Sequence, residues 1–423
     1  MNFWVCFSFC FGALILIGFL PGSVAQLSQS ESTILLQLQE YLEYPDALRS
    51  WSKWADFCYL PSSSTVTVVC SNGHVTELTV IGNKTSPSHS SNPLASGKFA
   101  VSEQTLSQKF SIDSLFTALT KLSSLRKLIL VSLGIWGPLP SKITRLQSLE
   151  LLNISSNYIY GAIPPKFSSL KSLKSIVLAD NLINGSVPDL SGIKGLQELD
   201  LSNNQIGQDF PSLAPSLVSI ILRNNSLRSQ IPRQIKKFNQ LQRFDASSNR
   251  LVGPLPPFVL SLPALWYLNL ADNRLAGELP RRTTCGLRLW FVDISRNLFV
   301  GSLPSCIGSG SNKYRKVLSV WNCLAGSKFQ HPASFCQRQA LAVIPPTKKT
   351  EGAQQDSGIR IGLIFGVIGG TVLLVGTVGL LLWMILKKRR SEDEQSYKSF
   401  GGKMPAGPSP IVDPSKSSLF SHL

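Results

Sequence analysis

Apolar residues recur with a fixed spacing over the middle of the chain, from Leu122 to Asn322. Each copy follows the pattern LxxLxxLxLxxNxLxGxIP, as in LQSLELLNISSNYIYGAIP from Leu146. The asparagine of the pattern recurs every 21 to 25 residues, with Leu133 in its place in the first copy, and stands at Asn157, Asn181, Asn204, Asn225, Asn249, Asn273, Asn297 and, in a partial last copy, Asn322. So regular a period indicates coils that stack into a solenoid, because one coil cannot bury its own apolar edge.

Within each copy, the alternation of apolar and polar residues around xxLxLxx predicts a short strand. Stacked copies would place these strands in a parallel sheet on the concave side of the solenoid, with the leucines in the shared interior. We expect the asparagine to turn inward, where its amide satisfies backbone groups at the bend. The predicted fold is therefore an α/β repeat solenoid of about eight coils and a partial one, and the asparagines are scaffold residues.

Residues 26–81 are predicted to cap the open apolar end of the stack. A capping box, Ser28 to Glu31, opens a helix that ends before Pro45 and that is followed by two tryptophans and two cysteines. One face of this helix is apolar and carries Ile34, Leu38, Tyr41 and Leu42. Residues 82–121 are expected to form a surface loop and a lead-in, since Ser, Pro and Asn interrupt the pattern up to residue 110. The repeats then occupy 122–324, and 325–360 form a C-terminal cap and linker.

Two longer apolar segments predict the membrane topology. Residues 1–25 are typical of a secretory signal, although no Lys or Arg precedes the apolar stretch, so an uncleaved anchor is the alternative. Residues 361–386 are uncharged and long enough as a helix to cross roughly 30 Å of hydrocarbon, and the basic run Lys387–Arg390 follows. A buried core helix is the alternative for this second segment. We expect a single-pass plasma-membrane protein with an extracellular N-terminus and a disordered cytosolic tail, residues 387–423.

The predicted span contains Gly362, Gly366 and Gly370 at intervals of four residues. Such spacing leaves a groove along one helix face, which allows close approach of a second helix, so a helix–helix dimer is expected. Glycine is common in membrane helices, and an incidental spacing is the alternative.

Composition excludes several other classes of protein. The chain has 41 Lys and Arg against 24 Asp and Glu, but the basic residues are scattered apart from the run after the span. A nucleic-acid surface is therefore not expected. The 4 histidines and 8 cysteines show no CxxC or HExxH spacing, so no metal site and no other cofactor is expected.

Six cysteines follow the signal, an even number in a compartment that permits disulfides. Several pairings are formally possible. Proximity favours Cys58 with Cys70 and Cys323 with Cys336. This leaves Cys285 and Cys306, which lie on neighbouring coils, as the third pair.

Four Asn-x-Ser/Thr sequences predict N-linked glycans, at Asn83, Asn153, Asn184 and Asn224. Asn153 falls on the predicted sheet face. A glycan there would obstruct the second repeat and shift the open binding surface toward the later ones.

The pattern is that of the leucine-rich repeat, and its GxIP ending, as in Gly161 to Pro164, resembles the plant-specific form. With a signal, a Cys-paired cap, one span and a basic flank, the chain resembles the extracellular and transmembrane part of a plant leucine-rich-repeat receptor-like kinase. The segment WNCLAGSKFQHPASFC from Trp321 resembles the C-terminal cap of a subfamily of probably inactive kinases. Unlike that family, the chain shows no counterpart of the Gly-rich loop or the catalytic and metal-binding Asp residues after the span. A non-enzymatic protein is therefore expected.

A candidate binding surface follows from the repeat register. Positions six, four and two before the asparagine are expected to face outward, which places Tyr267 and Phe291 on neighbouring strands of the concave face. Exposed aromatics rimmed by charges have the composition of a binding hot spot. Packing of these aromatics onto the strand edge or the C-terminal cap is the alternative. The candidate ligand-binding residues are Tyr267, Phe291, Trp266, Trp290, Arg243, Asp245 and Asp293.

Three functional hypotheses follow. The first is a receptor-like protein that binds a peptide or a partner ectodomain through the repeats and signals through a partner protein. The second is a truncated form of a receptor-like serine/threonine kinase, and the third is a wall-associated inhibitor or adhesion protein. The 37 residues after the span hold no phosphate loop, and the span itself argues against the third hypothesis.

Overall fold

The computed structural model describes residues 27–87, 103–280, 282–308 and 314–337, together with 383, 384 and 387. The repeats and both caps lie in one compact unit, Met1–Thr347, and the rest of the chain forms a second unit. The predicted signal, most of the predicted span with its three glycines, and the tail lie outside the described residues, apart from the three isolated positions just given. Within the described ranges, no helix has both the length and the apolarity that crossing a membrane requires.

The N-terminal cap is a helix followed by a hairpin. Helix α1 spans Gln29–Tyr41, and strands β1 (Val66–Ser71) and β2 (His74–Ile81) pair antiparallel. Asn72 and Gly73, both with positive φ, form the two-residue turn between these strands, a sequence that favours hairpins. The sequence prediction overlooked this signal.

The capping box at the start of α1 is only half formed. Ser28 Oγ accepts the backbone N–H of Glu31 as expected, at 3.3 Å. The Glu31 carboxylate does not accept the Ser28 N–H, which donates to the Gly73 carbonyl instead. Glu31 is buried and binds the hairpin, accepting the Val75 N–H at 2.6 Å and lying 2.8 Å from His74 Nδ1. This acidic residue therefore fixes the helix to the hairpin, a long-range role that local spacing does not reveal.

One sheet of eleven strands runs the length of the solenoid. It begins with the β1–β2 hairpin, and every later pairing is parallel, one strand from each coil. The later strands are β3 (Lys127–Val131), β5 (Leu151–Asn153), β7 (Ser175–Val177), β9 (Glu198–Asp200), β11 (Ser219–Ile221), β13 (Arg243–Asp245), β15 (Tyr267–Asn269), β17 (Phe291–Asp293) and β19 (Lys316–Leu318). We refer to it as the long sheet.

Two shorter parallel sheets follow the bend of each coil. The first contains β4 (Trp136–Pro138), β6 (Tyr158–Gly161), β8 (Leu182–Gly185), β10 (Gln205–Gln208) and β12 (Ser226–Leu227). The second contains β14 (Val252–Gly253), β16 (Arg274–Glu278), β18 (Leu298–Gly301) and β20 (Cys323–Leu324). Short 3-10 helices complete several coils, at Ser141–Arg145, Pro165–Ser169, Arg233–Lys237 and Pro257–Val259, and another lies in the cap at Asp46–Leu48.

Helix α2, Ile112–Leu119, lies in the segment 82–121, where the sequence predicted only a loop and a lead-in. Ser111 caps it by accepting the Ser114 N–H, and its apolar face, including Leu115 and Phe116, is buried. The helix was overlooked because it is only two turns long and stands outside the repeat pattern.

The asparagine of each coil turns inward and satisfies backbone groups at the bend, as predicted, and it also joins that coil to the one before it. Asn297 is 1% exposed, and its Oδ1 accepts the Leu275 N–H at 3.0 Å. Its Nδ2 donates to the Leu270 carbonyl of the preceding coil at 2.9 Å and to two carbonyls of its own bend. The other asparagines of the series repeat this arrangement. They satisfy backbone groups that would otherwise be buried without partners.

The described residues contain three disulfides, with the pairing expected from the sequence. Cys58–Cys70 lies in the N-terminal cap, and Cys323–Cys336 holds the C-terminal cap. Cys285 and Cys306, on neighbouring coils, form the third, with their Cα atoms 5.7 Å apart. Each bond closes a local loop and restricts the unfolded chain.

Candidate functional site

Four side chains form a continuous stack across the long sheet. Arg243, Tyr267, Phe291 and Lys316 pair in register on β13, β15, β17 and β19. The rings of Tyr267 and Phe291 are parallel within 7°, with their centroids 4.7 Å apart. The Arg243 guanidinium lies 4.6 Å from the Tyr267 centroid and Lys316 Nζ 5.9 Å from that of Phe291. We call these four residues the cation–aromatic stack.

The repeat geometry produces this stack. Each of the four residues stands six positions before the asparagine of its coil, on the outward face of the strand. Neighbouring strands of a sheet lie about 4.8 Å apart, which is close to the separation of stacked rings. Identical repeat positions on consecutive coils therefore bring the two rings face to face and place a cation over each outer face.

Two tryptophans widen the aromatic surface. Trp266 and Trp290 stand one residue before the stack positions and are 38% and 50% exposed. The Trp266 ring meets that of Tyr267 edge-on at 5.6 Å, and the Trp290 ring lies 6.2 Å from that of Phe291. The predicted aromatics therefore pack against one another and still leave indole surface open.

The two acidic residues predicted to rim the patch have a more local role. Asp245 is 2% exposed, and its Oδ1 accepts the backbone N–H and the hydroxyl of Ser247. Asp293, half-buried, binds Ser295 in the same way. The prediction that the position two before the asparagine faces outward is wrong for these serines, which are buried because they complete the turn formed by the acidic residue.

The cations of the patch lie at the two ends of the stack, and its two carboxylates are buried or half-buried. Arg243 Nη2 lies 3.9 Å from Asp245 Oδ2, and the buried Arg243 Nε has no hydrogen-bond partner among the described residues. Lys316 is exposed beyond Phe291. Burial raises the pKa of the Tyr267 hydroxyl above its ordinary value, and the charge of Asp245 adds to the rise. Tyr267 thus stays neutral at physiological pH and presents an aromatic ring with a hydrogen-bonding hydroxyl.

This chemistry suits the recognition of a ligand. The aromatic surface offers apolar contact area, and the cations at both ends attract carboxylates or other anions. Across the described ranges there is no group of three or more His, Cys, Asp or Glu residues that could hold a metal ion.

The predicted glycan acceptors are distributed over the earlier coils. Asn83, Asn184 and Asn224 are exposed, and Asn224 Nδ2 donates to Asn203 Oδ1 at 3.0 Å. Asn153 is half-buried on β5, four strands from the first strand of the stack. A glycan on Asn153 would leave the stack uncovered, so the predicted preference for the later repeats stays consistent with this placement.

The sequence prediction missed one member of the stack. Lys316 stands six positions before Asn322, and the same register rule that selected Tyr267 and Phe291 selects it. It was overlooked because the last copy is partial and its outward positions were not assigned.

Comparisons with known proteins agree with this fold. The Leucine rich repeat family model matches residues 147–206. A probable LRR receptor-like serine/threonine-protein kinase of Arabidopsis thaliana is 48% identical over 90% of this chain and 51% of its own length. A probable inactive leucine-rich repeat receptor-like protein kinase of the same plant is 40% identical over 89% of this chain and 51% of its own length. The chain thus spans about half the length of these curated relatives.

Among solved structures, a plant ice-binding protein matches with a TM-score of 0.57 at 23% identity. The match covers 71% of this chain and 89% of that chain. At this identity the likeness concerns the solenoid fold alone.

Proposed function

Because this chain belongs to the plant leucine-rich-repeat receptor-like kinase family, we propose that it acts as a receptor-like protein whose repeats bind a peptide or a partner ectodomain. The cation–aromatic stack and its two tryptophans are the proposed contact surface. The observation that carries this proposal is the in-register stack on four neighbouring strands, which concentrates aromatic area and positive charge on the long sheet.

The physical case rests on what such a surface supplies to a ligand. Side chains already packed against one another lose little conformational entropy when a ligand binds. Aromatic residues and arginine are the residue types that most often dominate interface energies. A ligand with an apolar segment flanked by acidic groups would complement the aromatic centre and the cations of Arg243 and Lys316.

The membrane part of the proposal rests on the sequence. A secretory signal, a single span over 361–386 and a cytosolic tail would place the repeats outside the plasma membrane. The span would pair with another helix through Gly362, Gly366 and Gly370, and a partner protein would carry the signal. Replacing Gly366 with Ile should lower association in a membrane reporter assay, and an unchanged signal would remove the glycine motif from this proposal.

The experiment for the binding site compares two double variants. Synthetic peptides are screened against the purified protein by microscale thermophoresis, and every peptide that binds is measured again with Tyr267→Ala/Phe291→Ala. Truncating a hot-spot residue typically costs on the order of 2 kcal/mol, so we expect affinity to fall at least about 30-fold.

The matched control is Leu151→Ala/Val177→Ala. It removes two half-buried apolar side chains from the outward face of β5 and β7 in the same sheet. We expect this control to change affinity less than twofold. Equal losses in both double variants, or no loss in the aromatic pair, would place the ligand elsewhere.

A further inference from the structure

A second concave surface lies beyond the carboxyl ends of the long-sheet strands, where the last coils meet the C-terminal cap. It is a groove of about 930 Å³. Its lining includes two arginines, Arg274 and Arg296, and three aromatic rings, Trp321, His331 and Phe335. We call it the cap groove.

The two arginines of the cap groove are exposed and available. Neither guanidinium group forms a hydrogen bond or an ion pair within the part of the chain that the structure describes. Asp272, two residues before Arg274, and Asp293, three residues before Arg296, make no ion pair with either of them there. Two guanidinium groups on one groove without a carboxylate attract an anion, and each can bind a carboxylate through two hydrogen bonds.

The opposite wall of the groove is aromatic. The His331 ring lies 4.2 Å from the Phe335 ring and 5.7 Å from the Trp321 ring, the latter in an edge-on arrangement. Half-buried Leu298 adds apolar surface beside these rings. The groove therefore combines charge on one side with apolar area on the other.

Hydrogen bonds and a disulfide hold this wall in place. Gln330 Oε1 accepts the backbone N–H groups of Asn322 and Leu324, at 3.1 and 3.2 Å. Its Nε2 donates to two carbonyls at 3.0 Å, and the Cys323–Cys336 disulfide closes the same loop. A wall fixed before binding loses little entropy when a ligand arrives.

Trp321 occupies an unusual position. The residue before the repeat asparagine has a left-handed φ in every coil, and here φ is +58°. In the other coils this residue is Ser132, Ser156, Asp180, Asn203, Asn224, Ser248, Asp272 or Arg296, and bulky residues are rare in this conformation. Trp321 is also 49% exposed, so burial does not explain it. Because the repeat imposes this backbone conformation in every coil, the feature specific to the cap groove is the exposed indole of Trp321.

We propose that the cap groove is a binding site for an acidic peptide segment, separate from the cation–aromatic stack. Carboxylates of the segment pair with Arg274 and Arg296, and a neighbouring apolar or aromatic side chain packs on Trp321 and Phe335. The residues that follow in this chain, 338–360, contain four basic and two acidic residues, so they do not supply the complementary charge.

The test uses the full chain and a labelled acidic peptide, Glu-Glu-Tyr-Gly-Phe-Glu-Asp, followed by fluorescence anisotropy. Its amide counterpart, Gln-Gln-Tyr-Gly-Phe-Gln-Asn, and an oligogalacturonide serve as the comparison ligands. We expect the acidic peptide to bind at least tenfold more tightly than either comparison ligand. Arg274→Gln/Arg296→Gln should weaken its binding at least tenfold.

The charge-matched control is Arg228→Gln/Arg250→Gln. It removes two exposed arginines of earlier coils that do not line the groove, and we expect less than a twofold change. Trp321→Asn tests the aromatic wall, since Asn203 and Asn224 already hold this position with positive φ. We expect it to weaken peptide binding at least tenfold without lowering the melting temperature.

Several results would overturn the proposal. Equal losses of peptide affinity in both double arginine variants would show that the arginines act through the net charge of the protein and not through contact in the groove. Tighter binding of the oligogalacturonide would make the ligand an acidic saccharide. Unchanged peptide affinity in Trp321→Asn, or no peptide binding at millimolar concentration, would remove the groove as a peptide site.

Discussion

Replacing Asn297 with Ala tests whether the asparagine series holds the coils together. The change removes an acceptor for the Leu275 N–H and a donor to the Leu270 carbonyl, and both groups belong to the preceding coil. Leu275 and Leu270 are fully buried, so water cannot readily replace the amide. The Leu270 carbonyl keeps a hydrogen bond from Asn273 Nδ2, at 3.2 Å, so the Leu275 N–H is the group left unsatisfied. An unsatisfied buried polar group costs about 1–3 kcal/mol and each lost hydrogen bond about 1 kcal/mol, so the change should cost about 3 kcal/mol.

The matched variant is Asn225→Ala. Asn225 makes the same contacts, accepting the Ile206 N–H and donating to the Leu201 carbonyl, both at 2.9 Å. It is half-buried, however, so water can take over part of its hydrogen bonding. We expect its loss to cost about half as much as the loss of Asn297.

Thermal unfolding followed by circular dichroism measures both variants. At roughly 2–4 °C per kcal/mol for a domain of this size, Asn297→Ala should lower the melting temperature by about 10 °C. Hydrogen exchange should accelerate first in the peptides around Leu270 and Leu275, because neighbouring coils contribute most of the stability of each coil. A melting temperature within about 2 °C of the parent protein, or a larger drop for Asn225→Ala, would refute this reasoning.

Three further predictions concern single features. Burial raises the pKa of Asp200 in the folded state above its ordinary value of 3.8, so the ionised carboxylate destabilises the fold at neutral pH. This destabilisation decreases as the pH falls through the raised pKa and Asp200 becomes protonated. Asp200→Asn should therefore melt at a higher temperature than the parent protein at pH 7, and the difference should vanish below about pH 4. Arg315 donates to the carbonyls of Leu289, Gly286 and Cys306, so Arg315→Gln should cost about 3 kcal/mol in denaturant unfolding, and a change below about 0.5 kcal/mol would contradict this role. Glycosidase treatment should increase the electrophoretic mobility of the mature protein, whereas unchanged mobility would exclude glycans at all four acceptors.

The repeat pattern predicted the solenoid well because the same physical constraint recurs in each coil. The asparagine spacing identified the bends, and the alternation of leucines identified the long-sheet strands. The same register placed Tyr267 and Phe291 on neighbouring strands and would have placed Lys316 beside them.

Features that depend on single long-range contacts could not be predicted in this way. The hydrogen bond between Glu31 and the hairpin, and those from Arg315 to three carbonyls, join residues that are distant in sequence. Neither set of contacts has a periodic signature. The sequence placed Asp245 and Asp293 at the edge of the aromatic patch as charged groups. Their spacing does not show that the hydroxyl of the serine two residues later donates a hydrogen bond to each carboxylate. The cap groove depends on how the loop after Trp321 folds back, which Gln330 and a disulfide determine.

Site-specific photo-crosslinking tests the central claim, that the cation–aromatic stack contacts the ligand, most directly. Benzoylphenylalanine replaces Tyr267 in one sample and Leu151, the residue at the same repeat position on β5, in another. After irradiation with a peptide that binds the parent protein, mass spectrometry identifies the linked residues. The account predicts crosslinks from position 267 and none from position 151. Crosslinks from position 151 alone, with an intact affinity for the peptide in both samples, would contradict it.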